Sequence, residues 1–248
     1  MEKVRIEAHG DVGVLRLDNG VTNAIGEQLI DQLQEKMNDA GNQFKAIVLA
    51  GNKKFFSIGL DLPGLMPLNR TEMTDFWHRF HRVVFDIYTL PLPTVCAVAG
   101  HAIAGGTILS LTCDYRLAAE GKLKFGLNEV TIGVPVPYLS DMMLRALIGE
   151  RAATDMIYNG NLIPVTEARK IGLVDAVYSQ ETVEEEAVAL ASKLASLPQP
   201  AFSAVKSSRV EQIRLRYENR LKASQEIFID CWFNDSTQAL LKKTCEAF

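Results

Sequence analysis

Three short segments combine glycine with polar residues in patterns that could serve chemistry: residues 55–62, 100–106 and 126–129. Each follows or lies close to a predicted strand, and glycine at a strand exit lets a ligand approach backbone N–H groups closely. The helix predicted to start near Gly105 adds unpaired donors and a positive dipole end. Two N–H groups from separate loops, aimed at one oxygen, would stabilise a developing anion as an oxyanion hole does.

Glu129 is the residue in these segments best suited to acid–base chemistry. Its apolar neighbours Leu127, Val130 and Ile132 predict a desolvated carboxylate whose pKa is raised toward neutrality. The alternative for Glu129 is a solvated loop carboxylate. The alternative for Gly105-Gly106 is close packing of a helix on a sheet. Sequence spacing does not decide between this packing role and an oxyanion hole.

The remaining candidates have weaker patterns. His78 and His81 could form half of a metal site, but no third ligand follows at a suitable spacing, so we expect no metal. His101 is interpreted as structural. Lys53 and Lys54 are either a solvated pair or contacts for phosphate groups. Residues 100–106 lack the Gly-x-Gly-x-x-Gly fingerprint, so no nicotinamide or flavin is expected.

Apolar periodicity predicts the elements that position these segments. Strands are predicted within 4–17 as a hairpin turning at Gly10, and at 46–50, 94–100, 115–119, 122–125 and 173–178. Helices are predicted at 26–40, around 76–87, at 105–111, 138–148, 150–158, 166–171, 182–197 and 201–247. Strands alternate with helices in the first half and helices dominate the second half, which indicates an α/β core followed by a helical region.

Composition excludes several classes of protein. The chain has 248 residues, 48% of them hydrophobic, and a formal charge of −4 without a polybasic run, so no nucleic-acid partner is expected. No apolar run approaches the length of a membrane span. The four cysteines are scattered, which favours buried reduced thiols. We therefore expect a cytoplasmic protein, although a transit peptide already removed for an organelle would leave no trace.

The order and spacing of several motifs resemble the crotonase, or enoyl-CoA hydratase/isomerase, superfamily along nearly the whole chain. The motifs are Asn23-Ala24, FSIGLDL at 56–62, AGHAIAGG at 99–106, CDYR at 113–116, FGLNE at 125–129, TEA at 166–168 and GLVD at 172–175. The resemblance implies a crotonase (ClpP-like) spiral of ββα units over residues 1–195. It also implies a C-terminal helical trimerisation region over 196–248, and assembly as a homotrimer or a dimer of trimers.

The resemblance also assigns roles to residues. The N–H groups of Ile58 and Gly105 would hold the thioester oxygen of an acyl-CoA, with Glu129 as the catalytic group. The CoA thioester would be the substrate, and no resident cofactor is implied. The residues expected to bind substrate are Lys54, Phe56, Ser57, Gly59, Leu60, Asp61, Leu62, Gly106 and Asn128.

One departure from the family pattern narrows the reaction. Hydratase-like members carry a second glutamate at the position of Ile108, and isoleucine cannot activate water. A single carboxylate suits migration of a double bond from 3-enoyl-CoA to 2-trans-enoyl-CoA, and the motifs resemble those of mitochondrial-type Δ3,Δ2-enoyl-CoA isomerases. Decarboxylation, thioester cleavage, weak hydration and binding without turnover stay open. Chain length is undecided, and the side chains expected to set pocket depth are Leu65, Met66, Phe76, Pro135 and Tyr138.

Overall fold

Short apolar runs form the strands of two sheets in the computed structural model, which describes residues 2–246. The strands of the larger sheet are β1 (Val4–His9), β2 (Val12–Leu17), β3 (Ala46–Ala50), β5 (Thr94–Val98), β7 (Tyr115–Ala119) and β10 (Ala176–Tyr178). Those of the smaller sheet are β4 (Phe55–Ser57), β6 (His101–Ile103), β8 (Lys124–Gly126) and β9 (Ile163–Pro164). The strand orders are β1-β2-β3-β5-β7-β10 and β4-β6-β8-β9.

Helices alternate with these strands in the first part of the chain and predominate in the second part. They are α1 (Glu27–Gln43), α2 (Leu62–Leu65), α3 (Arg70–Thr89), α4 (Gly105–Leu111), α5 (Tyr138–Asn159), α6 (Val165–Lys170), α7 (Val183–Ala195), α8 (Gln199–Trp232) and α9 (Asp235–Cys245). All-buried strands such as β3 and β5 form the centre of the larger sheet, as continuous apolar runs require.

Each turn of the chain adds one strand to each sheet and then a helix. The turns are β3–β4–α3, β5–β6–α4 and β7–β8–α5, and the predicted spiral of ββα units is confirmed. Strands β4, β6 and β8 run parallel to one another. Their carboxyl ends therefore lie at one edge of the smaller sheet, and the three segments that follow them come together there.

Two local predictions are confirmed, the first hairpin and the break between helices at residue 149. The first two strands form an antiparallel hairpin whose turn contains Gly10 with φ +62°. The predicted break between helices at residue 149 is present as a kink inside α5, where Gly149 has φ +81°. Among residues 2–246 all four cysteines are free thiols, of which Cys96 and Cys113 are buried. No helix in that range is long and apolar enough to cross a membrane.

The helical prediction over 201–247 is confirmed over the described residues, where the chain forms two helices, α8 and α9. Asn234 marks the break between them, because it caps α9 by accepting a hydrogen bond from the backbone N–H of Ser236 at 3.0 Å. Residues 247 and 248 of the predicted C-terminal region lie outside the described residues. Its boundary at 196 stays a prediction, although α8 begins close to it.

The sequence patterns also missed β4, β6 and β9 and extended β10 too far toward its N-terminus. These strands have two or three residues each, which is too short for an alternating pattern to appear. Two of the missed strands, β4 and β6, matter because they lead into the first two segments of the candidate site.

Candidate active site

Asn23 and Ser57 hold the first of these segments. The Asn23 amide donates to the carbonyl oxygens of Phe55 and Phe56, each at 3.2 Å. The Ser57 hydroxyl donates to the carbonyl of Asn23 at 2.7 Å and accepts from the N–H of Gly59 at 3.1 Å. These buried bonds fix the path of the chain as it leaves β4.

Gly59 brings that segment against the start of α4. Gly59 has φ +101°, and a Cβ placed on it would lie 3.1 Å from the backbone nitrogen of Gly105. The residue before Gly105 is Ala104, whose φ is +49°, an unusual value for a residue with a side chain. A side chain at position 59 would push these two backbone segments apart.

Leu60 and Gly105 each have a free backbone N–H group at this junction. The Ile58 N–H donates to the carbonyl oxygen of Thr22 at 2.9 Å, so it is not available to a ligand. The N–H groups of Leu60 and Gly105 have no acceptor among the residues that the structure describes. The prediction that Ile58 supplies a donor was therefore wrong, and its side chain instead lines the cavity.

Thr107 connects this junction to the segment that carries Glu129. Its hydroxyl donates to the carbonyl of Ala102 at 2.7 Å and accepts from the N–H of Gly126 at 3.0 Å. The carbonyl of Gly126 accepts in turn from the N–H of Ala104 at 2.8 Å. The sequence interpretation did not identify Thr107, because its role depends on contacts between β6, α4 and β8.

Glu129 begins a turn of 3-10 helix, Glu129–Ile132, that ends at Gly133. Only 6% of Glu129 is exposed, and neither carboxyl oxygen has a hydrogen-bond partner among the described residues. Burial raises the pKa of Glu129 from 4.5 to about 7, because water no longer stabilises its charged form. A carboxyl group with this pKa can both accept and donate a proton near neutrality.

The desolvating neighbours differ in part from those expected. Ile108 and Ile132 line the same cavity as Glu129. Leu127 is fully buried, whereas Val130 is 48% exposed and does not line that cavity. The expectation for Val130 was wrong, since the 3-10 turn directs consecutive side chains to different sides.

Glu129, Leu60 and Gly105 line a cavity of about 250 Å³. Its other walls are mostly apolar and include Leu62, Phe80, Ile108, Val134, Leu162 and Phe228. Among the described residues that line it, Glu129 is the one carboxylate. Of the five side chains expected to set its depth, Pro135 and Tyr138 line a second cavity and the others line neither.

The predicted substrate-binding residues divide into three groups. Leu60, Leu62 and Asn128 line the cavity. Phe56, Ser57, Gly59 and Gly106 are buried behind it and hold the backbone in place. Lys54 is exposed, and Asp61 caps α2 by accepting from the N–H of Gly64 at 3.3 Å.

None of His78, His81 and His101 lines the cavity beside Glu129. His81 is buried against Trp77, with ring centroids 4.4 Å apart, and burial lowers its pKa to about 4. His78 is exposed. His101 accepts a hydrogen bond from the N–H of Lys124 at 3.1 Å. Within residues 2–246 no group of three His, Cys, Asp or Glu side chains is placed to hold a metal ion.

This fold and this cavity define a member of the enoyl-CoA hydratase/isomerase family. The family model matches residues 7–248, and the chain belongs to this family of acyl-CoA enzymes. The chain is 30% identical over 232 residues to a probable enoyl-CoA hydratase of Rhizobium meliloti, covering 92% of this chain and 88% of that protein.

Relatives named as isomerases are also similar to this chain. It is 27% identical over 247 residues to human mitochondrial enoyl-CoA delta isomerase 1, covering 98% of this chain and 82% of the human protein. The crystal structure of human mitochondrial Δ3,Δ2-enoyl-CoA isomerase matches with a TM-score of 0.95 at 26% identity, covering 99% and 98% of the two chains. The predicted family and fold are therefore confirmed.

Proposed function

We propose that this protein is an enoyl-CoA isomerase that moves a double bond from 3-enoyl-CoA to 2-trans-enoyl-CoA. The observation that carries the proposal is the single carboxylate of Glu129 in a mostly apolar cavity that also contains free backbone donors. Hydration by concerted acid and base work needs a second carboxylate, and at the position where it would lie Ile108, which is 2% exposed, lines the wall instead.

Glu129 acts first as a base and then as an acid. Its carboxylate removes a proton from C2 of the 3-enoyl-CoA, and the electron pair moves through the double bond to form a dienolate. The N–H groups of Leu60 and Gly105 stabilise the negative thioester oxygen of this intermediate. Protonated Glu129 then returns the proton to C4, and the double bond forms between C2 and C3.

The CoA moiety lies outside the acyl cavity in this proposal. Lys54 is exposed at the start of the segment that leads into the cavity, and a lysine there can pair with a phosphate as a point charge. The thioester is the substrate, and the mechanism uses no resident cofactor or metal.

We also propose a homotrimer or a dimer of trimers, with contacts from the region that begins at residue 196. Support comes from exposed apolar side chains on α8 and α9, namely Val205, Leu215, Ile227 and Leu240. Contact with another chain would remove such side chains from water. Sedimentation velocity on the full chain measures the assembly directly.

The test of the reaction is conversion of 3-hexenoyl-CoA to the conjugated 2-enoyl product, followed by ultraviolet absorbance. Glu129→Gln should lose turnover and retain binding of hexanoyl-CoA, whereas the exposed Glu120→Gln control should match the native chain. Native protein that binds acyl-CoA without forming product would contradict the proposal. Release of CO₂ would then indicate a decarboxylase, and release of free CoA would indicate a thioesterase. Release of neither product would indicate a binding protein.

A further inference from the structure

A second cavity of about 620 Å³ adjoins the acyl cavity. It lies between the segment after Glu129, helix α5 and helix α8. Three residues line both cavities and therefore form the wall between them: Trp77, Pro137 and Phe228.

Two stacked aromatic rings form most of this wall. The rings of Trp77 on α3 and Phe228 on α8 are 3.4 Å apart between centroids and only 12° from parallel. Each residue is 2% exposed. Trp77 also stacks on Phe80, and Phe228 on Trp232, with centroid distances of 5.3 and 5.9 Å. The stack is therefore held from both sides and closes the acyl cavity.

We propose that the Trp77–Phe228 wall sets the longest acyl chain that the protein accepts, and that this limit is a short to medium chain. The proposal rests on the function above, since it takes the cavity beside Glu129 as the acyl site. At roughly 30 Å³ for a methylene-sized group, which is the share of volume a water molecule takes in the liquid, the 250 Å³ cavity holds about eight such groups.

The second cavity would hold the rest of a longer chain if the wall were open. It is more than twice as large as the first. Near the wall it is lined by Val136, Tyr138 and Ile227, which suit an alkyl chain. Charged residues, among them Asp141 and Arg145, line it as well. Opening the wall should therefore lengthen the accepted chain.

The experiment measures the affinity for saturated acyl-CoAs from butanoyl-CoA to hexadecanoyl-CoA by calorimetry. For native protein we expect binding to tighten by about fourfold per methylene and to stop tightening near octanoyl-CoA. In Phe228→Ala the gain should continue, so that dodecanoyl-CoA binds at least about tenfold more tightly than octanoyl-CoA. Phe85→Ala truncates a phenylalanine on α3 that lines neither cavity and should follow the native profile.

Phe228→Leu serves as a second variant if Phe228→Ala does not fold, because it keeps apolar volume while removing the ring stack. Native binding that tightens steadily to hexadecanoyl-CoA would overturn the proposal, as would identical profiles for the native chain and both Phe228 variants. Saturated ligands undergo no double-bond migration. A shifted length limit without isomerase activity would therefore support the wall and contradict only the proposed reaction.

Discussion

Replacing Glu129 by glutamine should make the protein progressively more stable, relative to the native chain, as the pH rises. Burial without a hydrogen-bond partner raises the pKa of this carboxyl group from 4.5 to about 7 in the folded state. The folded protein therefore binds the proton more tightly than the unfolded chain does. The stabilisation that comes from protonated Glu129 is greatest below pH 4.5 and is lost as the pH rises through about 7.

The size of the effect follows from the two pKa values. At 1.36 kcal/mol per pKa unit, the difference between 4.5 and about 7 corresponds to about 3 kcal/mol of lost stability once Glu129 is ionised in both states. Between about pH 5 and pH 8.5 the change is about 2.5 kcal/mol. The buried glutamine amide adds a cost of about 1–3 kcal/mol, but that cost does not vary with pH.

The assay is urea-induced unfolding of the native chain and Glu129→Gln across that pH range. We expect the stability of the variant relative to the native chain to rise by about 2.5 kcal/mol from the acidic to the alkaline end. Glu120→Gln, at an exposed position, should show no comparable trend. A stability difference that stays constant with pH would refute the reasoning, since it would mean that Glu129 is not desolvated in solution.

Two further predictions concern the site and the attachment of α8. The value of kcat/KM for 3-hexenoyl-CoA should rise with pH and reach half its maximum near pH 7, because the charged form of Glu129 is the base; a midpoint near 4.5 would contradict this. Lys206→Met should lower the free energy of unfolding by about 3 kcal/mol in urea titrations, because Lys206 is buried and bonds Asp114 at 2.8 Å. The exposed pair of Lys222 and Glu226 supplies the control, with an expected loss below about 1 kcal/mol for Lys222→Met. Equal losses in the two lysine variants would contradict the prediction.

The two Glu129 predictions are linked by one physical cause. Removing water from the carboxylate makes it a stronger base and also makes the folded state less stable when the carboxylate is charged. Activity and stability should therefore change in opposite directions as the pH rises through about 7. Such a trade-off between activity and stability is typical of functional groups that are buried in surroundings where their charged form is destabilised.

The sequence predicted most of the larger sheet and most helices because each has a strong local signal. The apolar run Ala46–Ala50 predicts a strand, and the four-residue apolar spacing of α1 predicts a helix. Each pattern lies entirely within the element that it predicts. Strands of two or three residues carry little such signal, so three of the four strands of the smaller sheet, β4, β6 and β9, were missed. The position of the break between α8 and α9 was not predicted, because it depends on the Asn234 side chain capping α9.

The sequence alone determined the family and the ββα architecture and singled out Glu129 as the candidate acid–base group, because each depends on residue types in a fixed order. Only the tertiary structure decided which backbone donors are free. Ile58 and Leu60 lie in the same motif, but the carbonyl of Thr22 occupies the Ile58 N–H and leaves the Leu60 N–H open. The end of the cavity beside Glu129 also depends on the tertiary structure, because Trp77 and Phe228 stack only where α8 packs on α3. A hydrogen bond or a ring stack between distant segments depends on where the fold places both partners, and no local pattern records that placement.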